Sequence, residues 1–463
     1  MIKTATPATG TWRELLGPRY LGASTVLAGG VALYATNEFL TISLMPSAVA
    51  DIGGQRLYAW VTTVYLVASV VAATTVHSTL LRFGPRVSYL LALSVFGAGS
   101  VACAAAPTME LLLVGRTVQG LAGGLLAGLG YAVINTALPE SLWTRASALV
   151  SAMWGIGTLL GPAAGGLFSQ YSSWRWAFGT LAIFTAAIAV LVPVGLPARR
   201  AAAVDVARTP IPVWSLLLLG TAALAVSVAG VPHDVRATAA LLAVGAVLVV
   251  VFVVVDRRTT AAVLPPSAFG AGPLKWIYLT LGVLMAATMV DMYVPLFGQR
   301  LAGLTPVAAG FLGAGLAVGW TVGELCSASL ASERLIRRTV AVAPAVMAVG
   351  LTLGAVTMRA DASLGLTAVW AAALVVTGIG IGVAWPHLSA WAMGRVDDPA
   401  EGPTAAAAIN TVQLICGAFG AGLAGVVVNV TDSGGATPAR WLFAVFAVLA
   451  AVGLVGSIRS GRA

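Results

Sequence analysis

Fourteen apolar runs, most of them about twenty residues long, recur along this 463-residue chain, and short loops holding most of the charge separate them. They fall at 21–48, 57–80, 88–106, 110–138, 145–168 and 176–196, then at 213–231 and 237–255. A last set covers 276–298, 305–330, 339–358, 364–393, 403–430 and 440–458. About 20 residues of helix rise about 30 Å, the thickness of a bilayer's hydrocarbon core. The chain is 59% hydrophobic and 9% charged, with mean hydropathy +0.96, whereas soluble domains are about 25% charged. The expected class is an all-α integral membrane protein that crosses the bilayer about fourteen times.

The basic residues orient such a chain, because cytoplasmic loops are enriched in Lys and Arg. With both termini cytoplasmic, 18 of the 25 Lys and Arg residues fall inside, among them Lys3, Arg199, Arg200, Arg208 and Arg462. Only Arg56, Arg175, Arg236, Arg300, Arg359 and Arg440 fall outside, and Arg116 lies within a span. This bias accounts for the net charge of +9 without a nucleic-acid partner. A multi-pass protein of the cytoplasmic (inner) membrane is expected, with no removable signal peptide. The longer inner linkers divide the chain into a six-helix bundle at 1–199, a linker with two additional helices at 200–262, and a second six-helix bundle at 263–463. The middle pair, rich in Leu, Val and Ala with no buried charge, reads as a lipid-facing spacer. Cys103, Cys326 and Cys416 have neither metal-site nor disulfide spacing, so no metal and no cofactor are expected.

One run is rich in the two poorest helix formers. GIGTLLGPAAGG (155–166) places Gly157, Gly161 and Gly165 on one nearly straight stripe, with Gly166 beside it and Pro162 within it. Helices in lipid associate by close backbone approach, which small residues at this spacing permit. Pro162 frees a carbonyl and invites a bend. The stretch predicts a helix pressed on a partner and able to flex.

That stretch, followed by SSWRWAF (172–178), resembles the antiporter signature of the major facilitator superfamily, in its fourteen-helix drug:proton antiporter branch. LLLVGRTVQGLAGG (111–124) resembles the fourth-helix motif with its membrane arginine, here Arg116. WVTTVYL (60–66) and NEFLTISLMPSAVADIG (37–53) are similar to second- and first-helix patterns of the same branch. The resemblance implies the major facilitator fold, two six-helix bundles plus two additional middle helices, working by alternating access. It also implies a gating loop between helices two and three. There Arg82, Gly84 and Arg86 match, while His77 and Leu81 replace the usual glycine and aspartate. In the first helix Asn37 stands at the usual aspartate place and Glu38 follows, displaced about 100° around the helix.

Ionisable groups inside a span cost a few kcal/mol each on insertion scales and mark function. Four are expected there: Glu38, Arg116, Asp291 and Glu324. The first three share a depth, and Glu324 lies nearer the cytoplasm. These are the candidate proton-coupling groups, with Glu38 and Arg116 as the leading pair; the resemblance implies that the arginine works with first-helix carboxylates. Tyr34, Asn37 and Thr41 accompany Glu38 on a polar stripe suited to a cavity wall. Tyr65, Trp154, Met292, Trp320 and Trp385 add an aromatic and Met-rich lining, and Asn410 and Gln413 add polar groups from the second half, where INTVQLICGAFGAGLAG (409–425) mimics the fifth helix. Such a wall accepts lipophilic and cationic solutes with loose geometry. The expected function is proton-coupled efflux of small lipophilic compounds by a monomer. A lipid or glycolipid exporter on the same scaffold is the alternative. A channel would need a charge ring or filter, and a membrane enzyme a catalytic cluster; the sequence has neither.

Overall fold

The computed structural model describes residues 11–198, 211–232, 234–259, 261–398 and 401–461. Lys3, Arg199, Arg200, Arg208 and Arg462 of the charge tally, and the expected boundary at 199–200, lie outside them. The long helices are α1 (Leu21–Ile52), α2 (Trp60–Ala73), α3 (Val76–Ala104), α4 (Met109–Ala132), α5 (Trp143–Tyr171), α6 (Trp174–Gly195), α7 (Val213–Val228) and α8 (Val235–Asp256). There follow α9 (Leu274–Ala302), α10 (Pro306–Ala328), α11 (Glu333–Thr357), α12 (Leu364–Gly394), α13 (Gly402–Val430) and α14 (Thr437–Ser460). Among the described residues, twelve of these are long and apolar enough to cross a membrane. The two outside that set are α1, whose polar stripe lowers its hydropathy, and α7, which at 16 residues rises only about 24 Å.

Successive long helices run in opposite directions. Call the end of the molecule at residues 11–20 the near end, and the end at residues 53–59 the far end. All six basic residues expected outside (Arg56, Arg175, Arg236, Arg300, Arg359 and Arg440) sit at the far end.

The first six and last six helices repeat one packing scheme. The second and third helices of each group pack on the fourth, the third packs on the sixth, and the first packs on the fifth and sixth. The weak sequence echo between the halves is thus a structural repeat. The groups meet through α5 against α10 and α2 against α13.

The middle pair departs from the expected spacer. Only α8 is largely exposed; Val247 and Val250 face outward at 60% and 63%. Helix α7 sits in the notch between α2 and α13. Ser227 there donates to Thr63 (3.1 Å), and its carbonyl accepts from the Trp60 indole (3.2 Å). The pair also has a buried charge. Asp256 accepts from the Ser215 hydroxyl (2.7 Å) and from the amides of Val263 and Leu264 (2.8 and 2.9 Å), so the carboxylate closes the turn after α8. Its place just past the apolar run hid it in the sequence.

Candidate substrate and proton site

The glycines of 155–166 separate by partner. A β-carbon on Gly157 would lie 2.7 Å from that of Ala35, one on Gly161 2.5 Å from that of Phe39, and one on Gly165 2.6 Å from the Leu40 carbonyl oxygen. These three press α5 onto α1 inside one half. Gly166, turned about 100° from them, abuts the other half: its β-carbon would lie 2.6 Å from Val307 Cα. Gly155, eleven residues back toward the near end, has nothing within 4 Å, and a gap of about 300 Å³ opens between α5 and α10 beside it. Helix α5 is unbroken through Pro162, whose carbonyl accepts from Ser43 (3.1 Å).

The far end is tied across the halves in the same way. The Tyr58 hydroxyl donates to the Met292 carbonyl (3.1 Å), Arg300 to Gln55 (2.9 Å), and Asn429 to the Arg56 carbonyl (3.0 Å). Tyr58 and Tyr293 stack with ring centroids 4.7 Å apart. The two groups are closed at the far end and part toward the near end, where the gap beside Gly155 opens.

Of the expected intramembrane charges, Glu38 and Arg116 belong to the first half and Asp291 and Glu324 to the second. Arg116 is 1% exposed. Its guanidinium donates to Asn37 Oδ1 (3.1 Å), Gln119 Oε1 (2.8 Å) and the Val61 carbonyl (3.3 Å), and lies 4.1 Å from the centre of the Tyr65 ring. Glu38 and Arg116 form no ion-pair contact: Asn37 takes the arginine, and Glu38, one residue on, is turned away by the helical rotation. Glu38 is half-buried and within electrostatic reach of both Arg116 and Asp291. Asp291 belongs to the other half. It sits in a 3-10 stretch, Met289–Tyr293, between the two α-helical parts of α9. Pro295 has no amide to return to the Asp291 carbonyl, which explains the interruption there. Such mid-helix stretches often mark hinges and functional sites.

The aromatic wall divides in two. Trp154 meets Tyr34 edge-on at 5.4 Å, and Tyr34 stacks on Tyr65 at 5.7 Å, which leads to Arg116. Thr41 is buried and donates to the Asn37 carbonyl (2.6 Å). Trp320 and Trp385 form a separate pair (5.2 Å) toward the near end of the second half, beside half-buried Glu324. Met292 is buried in the far-end seam rather than on a cavity wall. Asn410 and Gln413 share the face of α13 that carries Gly417, which abuts Leu66 of α2.

The loop motif is built into its own half. Gly84 has φ +73°, a left-handed conformation that glycine adopts without strain, and it kinks α3. Arg86 donates to the Pro193 and Leu196 carbonyls (2.6 and 3.0 Å), capping the end of α6. Arg82 is exposed and lies over the neighbouring Phe83 ring. Trp174 is 3% exposed and donates to Asp51, which also pairs with Arg175.

The sequence reading missed Gln119, Tyr58 and Tyr293. Gln119 was legible in principle, since it stands three residues after Arg116 and so shares its face. The far-end tyrosines carried no local signal. Four buried polar atoms near these groups have no hydrogen-bond partner within the protein: Asn37 Nδ2, the Tyr65 hydroxyl, Asp291 Oδ1 and the Tyr293 hydroxyl.

Two repeated six-helix groups with a buried arginine in the fourth helix narrow the family, and residues 27–421 match the sequence model of the Major Facilitator Superfamily. The chain belongs to this superfamily. It is 66% identical over 466 residues to the "Probable multidrug-efflux transporter" of Mycobacterium tuberculosis, covering 99% of this chain and 98% of that one. The solved nucleoside transporter NupG superposes with a TM-score of 0.67 at 12% identity, covering 96% of this chain and all of that one. The xylose transporter XylE of E. coli, in an inward-open conformation, gives 0.63 at 14% identity, covering 94% and 96%. At such identities the likeness establishes the fold, that of a multi-pass membrane transporter.

Proposed function

We propose that this facilitator-fold protein is a proton-coupled antiporter that exports small lipophilic compounds, cationic ones among them, by alternating access. The observation that carries the reading is that Glu38, in the first half, lies within electrostatic reach of Arg116 in its own half and of Asp291 in the other. A carboxylate not locked in an ion pair is free to exchange its proton with a cationic cargo, and the Trp154–Tyr34–Tyr65 wall offers that cargo aromatic faces. The strong likeness to a multidrug-efflux transporter supports the same class.

All fourteen helices cross the membrane in this reading, with α1–α6 and α9–α14 as the two moving bundles. The protein works as a monomer in the inner membrane with its termini in the cytoplasm. The splayed near end then faces the cytoplasm, so the structure is an inward-facing state. The glycine stripe of α5 holds it tightly on α1 within one bundle, and the motion of the halves opens and closes the Gly166–Val307 contact. The test is a sealed inverted vesicle with an imposed pH gradient. Saturable accumulation of a cationic dye that collapses with the gradient supports antiport; dye flux indifferent to the gradient refutes it.

A further inference from the structure

Between the middle pair and the second six-helix group lies a cavity of about 610 Å³. Val249 and Phe252 of α8 form one wall, Leu279 and Val283 of α9 another, and Ile415 and Phe419 of α13 the floor. Its size is within the ~300–1,000 Å³ of small-molecule pockets, and its lining is almost wholly apolar. Leu279 is 47% exposed and α8 faces outward, so access is lateral, from the hydrocarbon of the bilayer. Among the described residues, the sole charged side chain in the lining is Lys275, at the near end. Arg257, where α8 ends, lies 5.7 Å from the ring of Phe269, another lining residue. The carboxylates around this mouth are Asp256, held by three donors, Glu401, held by Ser267, and Asp397, beside Gly270. Among the described residues neither Lys275 nor Arg257 forms an ion pair.

An apolar slot open to lipid, with two unneutralised cations at one mouth, matches a lipid that has an anionic headgroup. We propose that this cavity binds an acyl chain of an anionic phospholipid from the near-end leaflet, its phosphate held by Lys275 and Arg257. Basic pockets between membrane helices take anionic headgroups for this reason. A cationic cargo is disfavoured there by the same two charges, so the site is distinct from the Glu38–Asp291 region. The proposal needs only the membrane setting and is independent of the transport reading.

The test uses the full-length purified protein, titrated with phosphatidylglycerol or phosphatidylcholine of equal chain length and read by native mass spectrometry. Phosphatidylglycerol is expected to bind preferentially. Lys275→Gln and Arg257→Gln each weaken it about fivefold while sparing phosphatidylcholine, and Val249→Trp, which fills the slot from the exposed helix, weakens both lipids. A phosphatidylglycerol with a photoreactive acyl chain, used on the unmodified protein, labels the segments that contain Phe252 or Leu279. Binding unchanged in all three variants, or labelling elsewhere, overturns the proposal. So does one-for-one displacement of the lipid by a cationic dye, which would make the cavity part of the cargo path.

Discussion

Replacing Gly166 with alanine separates the motion of the halves from the stability of each half. The new β-carbon would stand 2.6 Å from Val307 Cα and 3.0 Å from the Pro306 carbonyl oxygen, across the seam. Carbon atoms at rest stay about 3.5–4.0 Å apart, so α5 and α10 must part by about 1 Å there. Overpacking of this kind costs about 1–3 kcal/mol. The cost falls only on the far-end-closed state, because the two backbones separate when that end opens. The closed-to-open ratio should therefore drop by about 5- to 150-fold. Spin labels at Gln55 and Arg300, which face each other across the far end, read the distance in a chain whose native cysteines are replaced by alanine. Gly166→Ala should add a longer-distance population at the expense of the short one. Gly161→Ala is the control: its β-carbon would meet Phe39 of the same half at 2.5 Å, so it should lower the melting temperature and leave the distances alone. A folded Gly166→Ala protein with an unchanged distance distribution would refute the reasoning.

Other substitutions probe the remaining contacts. Asn37→Ala removes one acceptor from the buried Arg116 and should cost about 1.5–3 kcal/mol in thermal or denaturant unfolding of the purified protein; Asn37→Asp, which puts a carboxylate on the guanidinium, should raise the melting temperature. Asp256→Ala strands three donors at the end of α8 and should destabilise that turn by about 2–4 kcal/mol, seen as faster proteolysis between residues 257 and 273. Arg86→Ala should lower stability by about 1–2 kcal/mol without moving the Gln55–Arg300 distance, because Arg86 clamps α3 to α6 rather than joining the halves. A distance shift in that variant would restore a gating role to the loop.

Much of the fold was legible in the sequence because hydrophobic runs and charge alternation are local signals. The order of the long helices, their alternation and the tight packing of the glycine stripe follow from spacing, whereas its partner, α1, does not. The partners of single side chains do not. Asn37 and Glu38 are adjacent in sequence, and only the rotation of α1 against α4 decides which one reaches Arg116. Trp154 joins the arginine's aromatic wall while Trp320 and Trp385 pair elsewhere, because depth in a helix says nothing about the facing neighbour. The seat of α7 between α2 and α13 depends on Ser227 and on the close approach of Gly422, whose β-carbon would lie 2.6 Å from the Ser227 hydroxyl. In sequence those residues are an ordinary serine and one glycine among many.

The central claim is that Glu38 and Asp291, one from each half and within electrostatic reach of each other, link proton movement to cargo. Sealed vesicles containing the protein and a trapped pH-sensitive dye measure it directly, as proton movement triggered by adding a transported cationic dye. Wild-type protein should show that movement, and Glu38→Gln and Asp291→Asn should lose it while still exchanging dye down its gradient. Undiminished dye-triggered proton movement in the Glu38→Gln, Asp291→Asn double variant would contradict the account.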